Sequence, residues 1–367
     1  MTANIFGNRF VLVSFGESHG KCVGAVVDGC PAGLMLSEKD LQRELDRRRP
    51  GQSELTTTRA EVDKVEILSG VFEGYTTGAP ICMIVWNEDI DSSKYEQVKY
   101  EPRPGHADYT SRIRYGGFND YRGGGRFSGR ITISYVMGGA IAKKILGENL
   151  NIEILAHTTE IGGIKAAKTD LEEIKKAENN PVRCADSEAA KQMMKRIKQV
   201  QGEKDSVGGT IECIALNIPA GLGDPVFNTL EGDLSKALYA IPAVKSVEFG
   251  SGVDAAKMAG SQHNDPFAVQ EGKVVTLSNY AGGILGGISN GMPIICRVTI
   301  KPTASIGKPQ QTVDLRNMEE TSIEIEGRHD PCIVPRAVPI VESMVALVIV
   351  DQAISANLIP RVLERKT

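Results

Sequence analysis

Three of the five histidines in this chain stand in short polar segments framed by glycine or proline. They are Gly16-Glu17-Ser18-His19-Gly20, Arg103-Pro104-Gly105-His106-Ala107-Asp108 and Gly327-Arg328-His329-Asp330-Pro331. Such segments make poor core. Each sets an imidazole, which exchanges protons near neutral pH, beside a charged side chain. Arginine is dense in the same stretches and near them, at Arg47, Arg48 and Arg49, then Arg103, Arg112, Arg114, Arg122, Arg126 and Arg130, and later Arg328 and Arg336. Planar guanidinium forks suit phosphate or carboxylate. The combination predicts acid–base chemistry on an anionic small molecule. One such histidine alone is as readily a polar turn residue, but three in charged loops are not. His157, on an apparent strand, and His263, in the polar segment 260–265, read as structural.

Two further segments suit an anion. In Gly123-Gly124-Gly125-Arg126-Phe127-Ser128-Gly129, consecutive glycines let backbone N–H groups come close, and Arg126 and Arg130 add charge. No strand precedes those glycines, which argues against a dinucleotide-binding fold. Lys301-Pro302-Thr303-Ala304-Ser305, at the end of an apparent strand, offers ammonium, hydroxyl and backbone donors. There is no HExxH, paired CxxC, EF-hand loop or GxxxxGK[ST] pattern, so no metal site is predicted.

The elements that must position these residues alternate irregularly. Short β-branched runs predict strands over 10–15, 23–27, 65–68, 81–86, 151–161, 207–218 and 293–300. Ser37 followed by Asp40 is an acidic capping box opening a helix toward Arg48, which Pro50-Gly51 stops. Arg47, Arg48 and Arg49 in its last turn either complement the helix dipole or bind an anion. Helical spacing covers 131–146, where Gly138 and Gly139 require another element to pack closely. Further helices are expected over 171–177, 187–200 and 227–238, the first two solvated at the surface. The stretch 87–129 is long, polar and rich in Gly, Tyr and Arg, as functional loops are. Strands and helices in mixed order favour an α+β fold.

Composition sets the bounds. The 367 residues are 41% hydrophobic with a net charge of −4, which argues against a nucleic-acid binder or a membrane-surface protein. A basic pocket in an acidic protein points to a small ligand. No linker composition intervenes, so one domain over 1–367 is expected. Seven scattered cysteines without CxxC pairs fit reduced thiols and a cytoplasmic location. The first residues lack the basic and apolar parts of a signal peptide. The apolar segment 337–359, interrupted by Pro339, Glu342 and Asp351, reads as a buried helix rather than a bilayer span.

The histidine segments, Asp46-Arg47-Arg48-Arg49-Pro50-Gly51, the glycine–arginine loop and Ala281-Gly282-Gly283-Ile284-Leu285-Gly286-Gly287-Ile288-Ser289 together resemble the chorismate synthases, in that family's order and from residue 16 to 339. The resemblance implies a layered sandwich of helices between antiparallel β-sheets, usually assembled as a homotetramer. It implies a lyase that converts 5-enolpyruvylshikimate 3-phosphate to chorismate by anti-1,4-elimination of phosphate and a ring hydrogen. That is the last common step of the shikimate pathway to the aromatic amino acids. The family requires reduced FMN, and NADPH is a candidate reductant. By the same resemblance His19 matches the histidine that donates a proton toward the departing phosphate, and His106 the one beside the reduced flavin. Asp330 matches the carboxylate that helps flavin N5 take the substrate proton. Arg48 matches an arginine of substrate or NADPH binding. Flavin contacts fall on Arg126, Phe127, Ser128, Pro242, Ala243, Gly286, Lys301, Pro302, Thr303, Ala304, Ser305 and Arg328. Ser18 and Arg49 are added for the substrate anion from proximity alone.

Two positions depart from the family pattern. Glu54 stands where many members carry an arginine, with Arg59 a possible compensation, and Phe127 replaces a serine. The rival readings are a flavin-dependent NADPH reductase and an idle anion-binding protein.

Overall fold

The computed structural model describes residues 3–52, 55, 62–88, 95–325 and 330–364. The chain opens with β1 (Ile5–Phe6), β2 (Val11–Gly16) and β3 (Cys22–Asp28), then enters α1 (Glu38–Arg48). It returns through β4 (Val65–Ile67), the small hairpin of β5 (Val71–Phe72) and β6 (Tyr75–Thr76), and β7 (Ile81–Trp86). After α2 (Asp108–Arg114) and two 3-10 segments comes α3 (Thr132–Leu150). Next are β8 (Glu153–Ile161), β9 (Ile164–Lys165), α4 (Leu171–Lys175), α5 (Ser187–Gly202), β10 (Gly209–Leu216), α6 (Leu230–Tyr239) and β11 (Val244–Phe249). The remainder is α7 (Gly260–His263), β12 (Phe267–Gln270), β13 (Lys273–Thr276), β14 (Ile284–Leu285), β15 (Ile288–Ser289), β16 (Ile294–Ile300), β17 (Gln310–Asp314), β18 (Glu319–Ile323) and α8 (Val334–Ser355).

Two five-stranded antiparallel sheets result, in the orders β1-β2-β3-β7-β4 and β11-β16-β10-β8-β9. Helices fill the space between them: α3 lies against β2 and β3, and α8 against β8 and β10. The fold is α+β, a layer of helices between antiparallel sheets. Strand residues facing that layer are the apolar ones: Ile211, Cys213 and Ala215 of β10 and Cys296, Val298 and Ile300 of β16 are buried, while the residues alternating with them are only partly so.

The central contact is α3 on α8, and the paired glycines allow it. A Cβ on Gly139 would lie 2.2 Å from the Cβ of Ser343, and one on Gly138 would meet Leu12 at 2.9 Å. The close packing that the sequence required there is present. The apolar C-terminal helix is long enough to cross a membrane, yet 94% of its most apolar window is buried inside the protein. Its three interruptions have structural reasons. Pro339 leaves the helix intact, and its carbonyl accepts from Ser343 Oγ at 2.6 Å. Asp351 accepts backbone N–H groups of Asn8, Arg9 and Phe10 at 3.0, 2.5 and 2.8 Å, fixing the entry to β2. Glu342 accepts from Arg47 at 2.6 Å, from the Lys143 ammonium, and from the Ala156 N–H at 3.1 Å, joining α1, α3, α8 and β8.

Expected elements shift at their ends for local reasons. Helix α6 starts at Leu230 rather than Phe227 because Thr229 caps it, Oγ1 accepting the Gly232 N–H at 3.1 Å. Strand β8 starts at Glu153 because Asn151 closes α3 in the left-handed conformation, φ 55°. Helix α1 has the expected box, with the Ser37 N–H on Asp40 at 2.9 Å. The polar stretch contains α2, and short hairpins β12–β13 and β17–β18 project beyond the expected list of strands.

Burial alone would raise the Glu342 carboxyl, but Lys143 and Arg47 overcome it and hold it down at about 2. Its ionised form therefore stabilises the fold fully above the ordinary carboxylate range, and that contribution fades as pH falls toward 2. Glu342→Gln is expected to lower the unfolding free energy by about 3 kcal/mol at neutral pH, the cost of breaking a buried ion pair. Urea titrations should show the gap between the two proteins closing between about pH 4.5 and 2.

Candidate active site

One cavity of about 1270 Å³ is lined by residues of both large sheets and of α3 and α8, from both ends of the chain. His19, His106 and Asp330 all face it, with Ser18, Arg48, Arg126, Phe127, Ser128, Pro242, Ala243 and the whole segment Lys301 to Ser305. The glycine-rich loop is the hub. Gly123, Gly124 and Gly125 have φ of 58°, 81° and 51°, a conformation that side chains resist. A Cβ on Gly123 would lie 2.1 Å from His19 Cδ2, and one on Gly124 would lie 3.3 Å from His106 Nε2. The two imidazoles therefore rest on consecutive glycines.

Several contacts fix loop 16–20. Ser18 donates its N–H to Gly125 at 3.3 Å, and Asn87 Nδ2 binds the carbonyls of Glu17 and Gly20 at 3.0 and 2.8 Å. His19 is buried and meets Tyr95 edge-on, ring centroids 5.0 Å apart. Asn87 Oδ1 in turn accepts Arg130 Nε at 2.6 Å. Asp63, its side chain wholly buried, bridges Arg130 at 2.8 Å and Arg48 at 2.9 Å. A shared carboxylate thus sets two guanidiniums on one wall.

Another part of the lining joins loop 103–108 to the end of β16. Asp108 binds Arg103 Nε at 2.7 Å and His106 Nδ1 at 2.6 Å, while Arg103 also donates to Ser305 Oγ at 3.0 Å. The Lys301 ammonium donates to the Gly105 carbonyl. Partial burial, then the charge of Lys245, pull the Lys301 ammonium below its usual range. Burial would raise Asp108, but Arg103 and His106 hold it well below the usual carboxylate range. Asp330 pairs with Arg336, whose Nε binds the Arg48 carbonyl at 3.1 Å, and the Asp330 carbonyl accepts from Thr303 Oγ1 at 2.8 Å. Ala243 takes φ 73° without being a glycine, and its carbonyl accepts the Lys301 N–H at 2.9 Å. Such strain is stored where a site over-determines the backbone.

Not every expected residue is gathered here. The arginine triplet splits three ways as α1 ends: Arg47 pairs with Glu44, Glu178 and Glu342, Arg48 faces the cavity, and Arg49 lies outside its lining, 3.7 Å from Asp46. Helix α1 ends at Arg48, and Arg49 caps it in an extended conformation, φ −54° and ψ 156°, so adjacency in sequence did not carry Arg49 inward. Gly286 is exposed in the turn between β14 and β15 and is absent from the lining. Arg126 lines the cavity but donates to Gly16 O at 2.9 Å and Asn4 Oδ1 at 2.8 Å. Phe127 stands near Tyr115, centroids 6.3 Å apart. Arg328, His329, Glu54 and Arg59 lie outside the described residues. His157, 3.5 Å from Glu212 on the second sheet, and His263, bonded to Ser251 at 2.9 Å, lie away from the cavity. Sequence reasoning missed Asp63, Asp108, Asn87 and Tyr95. Asp108 carried a signal, two residues from His106, and Asn87 and Tyr95 a weaker one, inside the polar stretch 87–129.

An α+β sandwich whose loops converge on a basic cavity with two histidines has the form of an enzyme of small molecules. The sequence profile of the chorismate synthase family matches residues 10–354. Chorismate synthase of Korarchaeum cryptofilum is 58% identical over 352 residues, covering 96% of this chain and 97% of that one. That of Methanosarcina barkeri is 56% identical over 365 residues, 99% of this chain and all of the other. A crystal structure of chorismate synthase superposes with a TM-score of 0.77 at 31% identity, covering 95% of this chain and 93% of that one. The chain belongs to the chorismate synthase family.

The glycine hub yields a direct test. Gly123→Ala is expected to displace His19 and to cost about 2 kcal/mol, from the left-handed backbone and the clash together. Gly129→Ala, where a Cβ meets nothing within 4 Å, should change stability by no more than about 0.5 kcal/mol. Urea titration of the two variants measures the contrast.

Proposed function

We propose that this chain converts 5-enolpyruvylshikimate 3-phosphate to chorismate by anti-1,4-elimination, with reduced FMN held in the cavity. The observation that carries the reading is the seating of His19 and His106 on adjacent glycines inside one arginine-lined cavity. The cavity is larger than a site for one small ligand needs. Its lining suits a flavin: Ile241, Pro242, Ile340 and Met344 offer an apolar wall, and Lys301 and Arg103 a cationic end. When bound, the reduced flavin supplies transient electron density to a reaction with no net redox change.

The protein's own residues do the rest. Arg48 and Arg130, held by Asp63, stabilise the charge that gathers on the departing phosphate, and do so strongly because burial excludes water. His19 donates a proton toward that phosphate. His106 governs the protonation of the cofactor side of the cavity. Asp330, held by Arg336, is the carboxylate that would assist the cofactor in accepting the proton lost from the ring. Lys301 to Ser305, Pro242 and Ala243, with the loop at Arg126 to Ser128, frame the cofactor; Gly286 and Arg328 belong to the family's set but carry no argument from this cavity. NADPH is the candidate reductant.

We further read the whole chain as one domain, since one hydrophobic core runs from Phe10 to Leu363. A cytoplasmic location is supported by seven free cysteines. A homotetramer is supported by exposed apolar side chains on the β12–β13 hairpin, with Phe267, Val269 and Val274 at 67, 75 and 66% exposure.

Two measurements test these readings. Without oxygen and with photoreduced FMN, the enolpyruvyl substrate should release phosphate, and His106→Ala should slow that release at least about a hundredfold. Net NADPH oxidation without phosphate release would instead make the protein a flavin reductase. Light scattering on the eluted protein should give the mass of four 39.5 kDa chains, and Phe267→Glu should reduce it. A single-chain mass for the unaltered protein would overturn the assembly.

A further inference from the structure

The contacts of Asp108 specify which nitrogen of His106 carries the proton. We propose that Asp108 is a positioning residue that fixes His106 as the Nδ1–H tautomer, and that Arg103 orients the carboxylate so that a neutral amide in its place reverses the choice. Asp108 Oδ1 lies 2.6 Å from His106 Nδ1. An ionised carboxylate only accepts, so a contact this short requires a proton on Nδ1. Arg103 Nη2 lies 3.0 Å from Nδ1 and 3.3 Å from Nε2 and can only donate. Its presence disfavours a proton on Nε2, and at Nδ1 the shorter carboxylate contact prevails. Nε2, the atom beside Gly124, is left as the proton acceptor of the neutral ring.

Arg103 also orients the carboxylate. Asp108 Oδ2 accepts both the Arg103 backbone N–H at 3.1 Å and Nε at 2.7 Å, while Oδ1 accepts Nη2 at 2.8 Å beside the imidazole. Both donors at Oδ2 belong to Arg103 and cannot turn into acceptors, whereas one of the two at Oδ1 is the imidazole, which can change tautomer; in Asp108→Asn the amide oxygen therefore stays at the Oδ2 position. The amide NH2 then faces His106 Nδ1, which has to become an acceptor, and the ring proton moves to Nε2. The substitution keeps the shape and reverses the tautomer. The same reversal in the serine-protease triad lowers turnover by about 10⁴-fold.

The tautomer rests on these contacts alone, and its effect on rate rests on the proposed chorismate synthase reaction. Protein labelled with 15N at its five histidines, at alkaline pH and without ligands, reads the tautomer directly from the ring nitrogens. Loss of one set of signals in His106→Gln assigns the residue. The neutral ring is expected as Nδ1–H in the unaltered protein and as Nε2–H in Asp108→Asn. In that variant kcat should fall about 10²- to 10⁴-fold with KM changed only a few-fold. Asp108→Glu, which keeps an acceptor, should retain Nδ1–H and more of the rate. Nε2–H in the unaltered protein, or an unchanged tautomer and kcat in Asp108→Asn, would overturn the proposal. A role confined to the start of α2 would lower the melting temperature and leave the tautomer alone. Absence of turnover in the unaltered protein would count against the function and not against the tautomer.

Discussion

Two imidazoles can share this cavity only because the backbone between Tyr121 and Phe127 has no Cβ where the rings lie. The close approach is geometric: 2.1 Å from a Cβ of Gly123 to His19, and 3.2 Å from one of Gly124 to the His106 Cε1. Any side chain at Gly123 would separate the ring from the loop, and with it the walls that carry the two histidines. The loop can adopt this path because all three glycines tolerate positive φ. It leads directly into α3, which packs on α8 through a second pair of glycines at 138 and 139. Close backbone approach thus recurs from the site to the core, and the site inherits the rigidity of the helix layer.

The second requirement is electrostatic. Guanidinium groups this close together in a shielded cavity repel one another, and the fold answers with buried carboxylates. Asp63 serves Arg48 and Arg130, Asp108 serves Arg103, Asp330 serves Arg336, and Glu342 serves Arg47 and Lys143. Each carboxylate is well shielded from water, so each pair is stronger than its surface equivalent and more damaging to break. Among these, Glu342 touches no cavity residue directly, yet it fixes the turn of α1 from which Arg48 enters the cavity.

The sequence made the histidine and glycine loops legible because their composition is useless for a core and specific for chemistry. Strands β2, β3, β7, β10 and β16 were legible because burial of one or both faces imposes β-branched runs. The carboxylates were not. Asp63 has no sequence neighbour among the motifs, and its value comes from two arginines 15 and 67 residues away. Arg49 is the opposite case, since it stands in a motif but lies outside the cavity lining, where the chain leaves α1 in an extended conformation. Hairpins β12–β13 and β17–β18 were missed because short strands with exposed faces lack the alternating apolar pattern that a buried sheet imposes.

The arginines themselves have two functions that composition cannot separate. From sequence they read as receptors for an anion. In the fold they are also braces between distant loops: Arg103 reaches Ser305 across 202 residues, Arg126 ties the glycine loop to Gly16, and Arg336 holds the Arg48 carbonyl across 288. Charge-assisted bonds of this kind are strong and directional, so they set the loops in register before any ligand arrives. A cavity assembled by its own cations is preorganised, and preorganisation is what lets electrostatic stabilisation lower a barrier rather than merely increase binding. The same economy means that removing one of these arginines alters loop geometry along with charge. Arg126 illustrates the point: its two terminal nitrogens already donate to Gly16, Asn4 and Ser14, so its effect on any bound anion acts through the position of the glycine loop as much as through its charge.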